Sequence, residues 1–408
     1  MKPKKILLTT GFVGGRGSSK AVRWTYDGLK ERGFEPMIVT ESVYLYKLQD
    51  LKLKPDFVIN RSPQDSDETV YRKTAAVLEK IKFNYMLAFQ PRTYYSYFAM
   101  RRKIPYAIVE YSVPEIFENY PSKRIGEVYE KANLYLCLCP FPYQTPIPQK
   151  MKNVAVCSQP YPQSRLDYAD QVKQLTQNQA REKLYRYYPE LKRCQYNWLI
   201  FLNINDEYAN PFNVSPNNLG FRDQDDTEQN GYLRLNDFDQ TNGFVNRLIA
   251  GLETNFPGRT LIYMLEKVRQ FAAPTLDRSK NVTAFSRPSP FVNLDVDLLL
   301  KQAADVNLCR AALCDNQCDL YLLGKSCVTS VVPIGFMNED KAMLAAKKRK
   351  SAYLIPYNDS DYIKKLVKFV NDKNAQKIIS KNMSKSFDAM WQKYNFYDLV
   401  LTNINESN

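Results

Sequence analysis

Four glycines crowd together after an apolar run: Gly11, Gly14, Gly15 and Gly17, with Arg16 among them. Glycine lets a backbone turn tightly and leaves amide N–H groups uncovered where a helix begins, which suits an anion or a closely fitted substrate. The spacing is neither G-x-G-x-x-G nor G-x-x-x-x-G-K-[ST], because Lys20 follows two serines. Taken alone, a tight turn explains these glycines equally well. Histidine is absent from the chain. That removes the commonest general base, the Ser-His and Cys-His nucleophiles and every His-bearing metal site, so protons must move through Asp, Glu, Tyr, Lys or the substrate.

The eight cysteines sit mostly in apolar runs such as Leu136 to Pro140, and Cys309, Cys314, Cys318 and Cys327 lack paired C-x-x-C knuckles. Buried reduced thiols are expected, rather than disulfides or zinc. The net charge is +14, with 26 Lys and Arg against 17 Asp and Glu in residues 1–170 and 31 against 26 in the remainder. Such a surplus attracts polyanions. In the first part, Tyr94, Tyr95, Tyr97 and Phe98 interleave with Arg92, Arg101, Arg102 and Lys103. This pattern reads either as a phosphate-binding surface with aromatic stacking faces or as an ordinary packed and solvated helix.

A chain of 408 residues exceeds the size at which one core stops growing, so two α/β domains are expected. The opening reads as strand Lys5 to Thr10, glycine loop, helix Ser18 to Arg32 and strand Pro36 to Thr40, a βαβ start. Glu41, after that second strand, is the acidic residue a dinucleotide fold would need there, which makes a nicotinamide dehydrogenase the weaker alternative. The charged N-terminus followed by a short apolar stretch reads as a buried first strand, not a signal peptide. Further strands are expected at Asp56 to Asn60, Tyr85 to Phe89, Tyr106 to Glu110, Leu134 to Cys139 and Val154 to Cys157. The alternation then stops, and a polar helix from Asp170 to Tyr187 leads to a strand at Asn197 to Asn203. Residues 205–239 read as a long polar loop, and a second α/β unit follows it. The divisions predicted are 1–168, 169–385 and a C-terminal helical segment, 386–408, returning to the first domain. No run approaches the roughly 18 to 20 apolar residues a membrane span needs, and a cytoplasmic protein is expected.

Four stretches, in order, resemble glycosyltransferase family 28, the family of the peptidoglycan N-acetylglucosaminyltransferases. They are Gly14 to Lys20 running on to Leu29-Lys-Glu-Arg-Gly33; Ile104 to Pro114; Val154 to Pro160; and Ala304 through Arg310 and Asp319 to Gly324-Lys325. The resemblance implies the GT-B architecture, two Rossmann-like domains facing across a cleft, and transfer of a sugar from a nucleotide-diphosphate donor, UDP favoured, to a hydroxyl acceptor. The nucleotide-sugar is a co-substrate, and no further cofactor is implied.

Residue by residue, the resemblance assigns Glu110 as catalytic base and puts Ser18 where the family has histidine. Arg310 meets the diphosphate, residues Asp315, Asn316 and Gln317 offer a helix N-terminus to it, and Asp319 replaces the family's ribose-binding glutamate. Glu339 and Asp340 match the donor sugar's contacts. Asn205 lies in a stretch standing where the family has Gly-Gly-Ser. Gly14, Gly15, Arg16, Tyr94, Tyr95 and Arg101 form the acceptor side. The acceptor could be a nucleic acid with hydroxymethylated bases, a diphosphate lipid reached by peripheral membrane contact, or a small soluble molecule. A non-catalytic nucleotide- or sugar-binding protein is the other class. Asp295-Val-Asp297 spells the DxD of metal-dependent transferases, but reads here as a helix start with no metal.

Overall fold

The computed structural model describes residues 4–10, 17–42, 45–62, 64–89, 93–110, 123–142, 153–193, 199–202, 248, 250–252, 254–256, 260–261, 282–283, 294–309, 315–329, 339–356 and 359–407. The first sheet has seven strands: β1 Lys5–Thr10, β2 Glu35–Glu41, β3 Phe57–Ile59, β4 Tyr85–Phe89, β5 Tyr106–Glu110, β6 Leu134–Leu138 and β7 Val154–Cys157. Their order is β3-β2-β1-β4-β5-β6-β7, and every pair is parallel. The strand order reverses between β1 and β4, and open sheets of this kind bind ligands outside their carboxyl ends at that switch.

Helices cover both faces. On one side, α1 Gly17–Glu31 and α2 Leu45–Asp50 bury Ala21, Val22, Leu29 and Leu48 against the sheet. On the other lie α3 Asp67–Leu78, α4 Thr93–Arg101 and α5 Lys123–Glu130, which contribute Leu78, Tyr95, Phe98 and Val128. Strands buried on both faces read as continuous apolar runs, which is why Tyr85–Phe89 and Tyr106–Glu110 have the bounds expected from sequence.

Where one polar helix was expected from Asp170 to Tyr187, there are two, α6 Gln163–Lys173 and α7 Gln177–Tyr187. Thr176 breaks them apart by capping α7. Its hydroxyl accepts from the Gln179 amide at 3.2 Å, while the Gln179 side chain accepts from the Thr176 amide at 2.8 Å. The division expected at 168/169 therefore falls inside α6.

The second sheet is parallel with order β13-β12-β11-β8, from β8 Leu199–Leu202, β11 Val306–Cys309, β12 Cys327–Thr329 and β13 Tyr353–Leu354. A short parallel pair, β9 Thr260–Leu261 and β10 Val282–Thr283, forms a two-stranded sheet of its own. Around the second sheet are α8 Leu294–Ala303, α9 Asp315–Leu323, α10 Glu339–Lys348, α11 Tyr362–Asn371 and α12 Lys373–Lys393. The last helix, α13 Phe396–Glu406, packs Phe396, Tyr397, Val400 and Ile404 into the core of the first sheet. The Tyr397 hydroxyl donates to the Trp24 and Pro160 carbonyls, both at 2.9 Å. The chain thus closes back on its first domain.

Candidate active site

The carboxyl edge of the first sheet carries a buried acid. Glu110 ends β5, and its two oxygens accept from the Tyr129 hydroxyl at 3.0 Å and the Tyr135 hydroxyl at 2.6 Å. Tyr129 comes from α5 and Tyr135 from β6, so the helix and the strand that follow β5 in the chain aim the carboxylate. Burial pushes its pKa up from 4.5 to about 7, and the two tyrosine bonds offset part of that rise. A carboxylate with this proton affinity accepts a proton near neutral pH without a histidine.

At the end of β2, Glu41 is also buried, but it forms an ion pair with Arg61 at 2.6 Å. The Ser42 hydroxyl ties down the same segment through the Arg61 carbonyl and amide. This acid is committed to a fold contact, which argues against its holding a dinucleotide ribose.

A second constellation joins helices from the two halves of the chain. Lys20 on α1 meets Asp297 Oδ2 at 3.2 Å, and Arg165 on α6 meets both oxygens of Asp297 at 3.0 and 2.9 Å. Arg165 also reaches Asp319 at 3.3 Å, and Lys301, one turn after Asp297 on α8, reaches Asp319 at 2.8 Å. The Tyr161 hydroxyl donates to the other Asp319 oxygen at 2.9 Å. All five charged side chains are buried. Burial drives the Asp319 carboxyl upward, but the charges of Lys301, Arg165 and Lys20 outweigh it and hold the group well below the usual carboxylate range. Burial likewise drives the Arg165 guanidinium downward, and Asp297 and Asp319 reverse that.

This geometry corrects the ribose assignment of Asp319. Its side chain is 0% exposed and its oxygens are given to Tyr161, Arg165 and Lys301. The acceptor-side assignment of Tyr94 and Tyr95 is corrected too, because both are buried and offer no stacking face. Tyr94 donates to Asp67 on α3 at 2.6 Å, and Tyr95 sits in the core beneath α4. Arg101 stands exposed in the last turn of α4.

Gln317 is buried, and its amide nitrogen lies 3.3 Å from the Thr329 hydroxyl, which pins the first turn of α9 to β12. Asp315 and Asn316 open α9, and Glu339 and Asp340 open α10, positions where the helix dipole favours acids. The start of α9, beyond the carboxyl end of β11, presents first-turn amides suited to an anion. Ser18 is the second residue of α1. Gly14, Gly15, Arg16, Asn205 and Arg310 lie outside the described residues. Among the described residues, no group of His, Cys, Asp and Glu could hold a metal ion, and Cys137, Cys139, Cys157, Cys309, Cys318 and Cys327 are buried.

Sequence reasoning missed the role of Asp297, taken only as a helix start. One signal was present: Asp297 and Lys301 stand at i and i+4 on a helix whose other residues are mostly Leu, Val and Ala, so a buried pair was implied.

No family model and no curated protein matches the chain. Solved structures do. The UDP-GlcNAc 2-epimerase of Neisseria meningitidis, bound to UDP-GlcNAc, aligns with a TM-score of 0.58 at 12% identity, covering 98% of this chain and 100% of that one. The spinosyn rhamnosyltransferase SpnG, complexed with thymidine diphosphate, gives 0.59 at 12% identity over 98% and 99%. MurG of Acinetobacter baumannii gives 0.52 at 12% identity over 96% and 99%. Two parallel sheets in one chain, matched end to end by these proteins, define the GT-B fold. These neighbours are an epimerase, a rhamnosyltransferase and MurG, and at 12% identity the likeness is one of fold. No helix in the described residues is long and apolar enough to cross a membrane.

Proposed function

We propose that this chain transfers a sugar from a nucleotide-diphosphate donor, with UDP the favoured nucleotide, to a hydroxyl acceptor without a metal ion. The observation that carries the reading is Glu110, a carboxylate at the carboxyl edge of a parallel sheet with a pKa of about 7. An acceptor hydroxyl titrates far above neutral pH, so a carboxylate that takes its proton during attack lowers the barrier. As the acceptor oxygen bonds to the sugar's anomeric carbon, the bond from that carbon to the diphosphate oxygen breaks and Glu110 receives the proton. The departing negative charge is met by Arg310 and by the first-turn amides of α9, a charge-assisted arrangement.

In this reading Asp315, Asn316, Asn205, Glu339 and Asp340 belong to the donor side. Gly14, Gly15 and Arg16 are assigned to the acceptor side, and Ser18 to the catalytic centre with Glu110. The buried Tyr94 and Tyr95 withdraw support from a DNA acceptor whose base would stack on them.

Isothermal titration of UDP, GDP, ADP and TDP against the wild type and Arg310→Ala tests the donor assignment. Binding of UDP, weakened in the variant, is expected. Failure of every nucleotide to bind would favour a non-catalytic protein of the same fold. Incubation with a UDP-sugar in D2O without acceptor separates transfer from epimerisation, since deuterium on a ring carbon would assign the epimerase chemistry named for several of the structural neighbours.

A further inference from the structure

The positive surplus of the second half is gathered in one stretch. Residues 341–387 hold twelve Lys or Arg against three Asp or Glu, a surplus of nine in a chain whose total is +14. The three acids are Asp359, Asp361 and Asp372, and all three precede the first lysine of α12. Asp359 pairs with Lys365, Asp361 precedes α11 as its N-cap, and the Asp372 side chain accepts from the Ala375 amide. They do not neutralise the lysines of α12.

Those lysines form a ladder. Lys373, Lys377, Lys381 and Lys385 recur every fourth residue, all exposed, and no acid interrupts the helix between them. At 1.5 Å per residue the row extends roughly 18 Å along one face. The opposite face buries Ile379, Met383 and Met390, so the ladder is fixed to the body of the protein.

A second group adjoins it. Lys347, Lys348, Arg349 and Lys350 are exposed at the end of α10 and in the turn after it. The Asn382 side chain, next to Lys381, donates to the Lys350 carbonyl at 3.1 Å, which fastens this turn to the middle of α12.

Apolar side chains lie within the same surface. Leu344 is 64% exposed and Ile378 44% exposed. Leu344 is one turn from Lys347 and Lys348, and Ile378 is one turn from Lys381 and Asn382, which makes each a neighbour of the basic groups on its own helix.

We propose that this face of α10 and α12 docks on an anionic phospholipid surface. Seven of the eight cations are lysines, compact point charges that suit a diffuse and mobile layer of headgroups rather than the bidentate phosphate and base-edge contacts for which arginine is preferred. Neither Leu344 to Lys350 nor Lys373 to Lys385 contains an aromatic side chain to stack a nucleic-acid base, whereas Leu344 and Ile378 supply aliphatic surface for the boundary between headgroups and acyl chains. The inference is independent of the transferase reading, because it uses no residue assigned to donor, acceptor or base.

Co-sedimentation of the full chain with vesicles of equal phosphatidylcholine and phosphatidylserine, against phosphatidylcholine alone, tests it at low and high salt. The wild type should bind the anionic vesicles and be released by salt. Each lysine near such a surface contributes about fivefold, so K377Q/K381Q/K385Q should weaken binding on the order of 10²-fold. L344Q/I378Q should lower the fraction that stays bound when salt is raised. A control with three exposed lysines of the first half changed, K80Q/K82Q/K103Q, should bind as the wild type does. Equal losses in the two triple variants would overturn the proposal, because net charge alone would then be acting. Absence of wild-type binding to anionic vesicles would overturn it as well, as would binding to duplex DNA in place of vesicles. Unchanged melting temperatures in the triple variants keep loss of binding distinct from loss of fold.

Discussion

Lys20 and Asp297, 277 positions apart in the chain, form an ion pair at 3.2 Å with both side chains almost wholly buried. The pair ties α1, directly after the glycine loop, to α8 of the second half. Removing one partner from a buried pair leaves a charge without its compensation, at a cost of about 3–5 kcal/mol. Asp297→Asn should fall in that range, since it strips a partner from Lys20, Arg165 and Lys301 together. Lys20→Met should cost less, because Asp297 keeps both contacts to Arg165. Urea unfolding of the single and double variants checks the order, and additivity of the two costs would rule out coupling across the pair.

Acid should spare this cluster over most of the accessible range. The folded pKa of Asp319 is depressed, so its contribution is complete above the ordinary aspartate value of about 3.9 and is lost only as pH falls below it toward the folded value. Asp319→Asn should therefore lower the melting temperature by a constant amount from pH 5 to pH 8, with the difference narrowing only at the acid end, roughly below pH 4. A difference that changed between pH 5 and 8 would contradict the assignment.

The first domain's strands were legible because a parallel sheet buries both faces and writes them as apolar runs. Ile6 to Leu8, Met86 to Phe89 and Ala107 to Val109 are all of this kind. The break at Thr176 was written as well, in the Thr-x-x-Gln spacing, but a polar helix gives no apolar phase against which an interruption shows. The ionic cluster was hidden for a different reason. Lys20, Arg165 and Asp319 look like solvated charges one at a time, and only the tertiary approach of α1, α6, α8 and α9 makes each the partner of another. Glu110 was singled out through the family resemblance and its place at the end of β5, while its tyrosine partners could not be read from their separations of 19 and 25 residues.

Gly28 on α1 is required by Tyr397 of α13. A Cβ at position 28 would lie 1.9 Å from the tyrosine hydroxyl oxygen and 2.4 Å from its ring carbon Cζ. Gly28→Ala should therefore destabilise by about 1–3 kcal/mol through overpacking, loosening the C-terminal helix. With Tyr397→Leu already in place, the same change should stabilise by roughly 0.5–1 kcal/mol, the intrinsic helix preference of alanine over glycine. Thermal melts of the four proteins read this sign reversal directly, and a Gly28→Ala effect of the same sign in both backgrounds would refute the contact.

Glu110 separates function from stability when its charge is removed. Its folded pKa of about 7 lies above the ordinary 4.5, so the folded protein binds the proton more tightly than the unfolded chain does. Stability therefore declines as pH rises from about 4.5 to about 7 and levels off above that. The size of the decline is roughly 3 kcal/mol, from about 1.4 kcal/mol per pKa unit. Glu110→Gln removes the ionisation and should abolish this slope, which leaves the variant more stable than wild type at pH 8. Catalysis should move the other way. A base must be ionised to accept a proton, so wild-type kcat/KM should rise with pH to a plateau above about 7, and Glu110→Gln should lower kcat by on the order of 10²- to 10⁴-fold with nucleotide affinity nearly unchanged. A carboxylate kept only to brace Tyr129 and Tyr135 would give the opposite pair of results, a variant less stable at pH 8 and as active as the parent. Denaturation midpoints at pH 5 and pH 8, set beside initial rates across the same range, decide between the two roles.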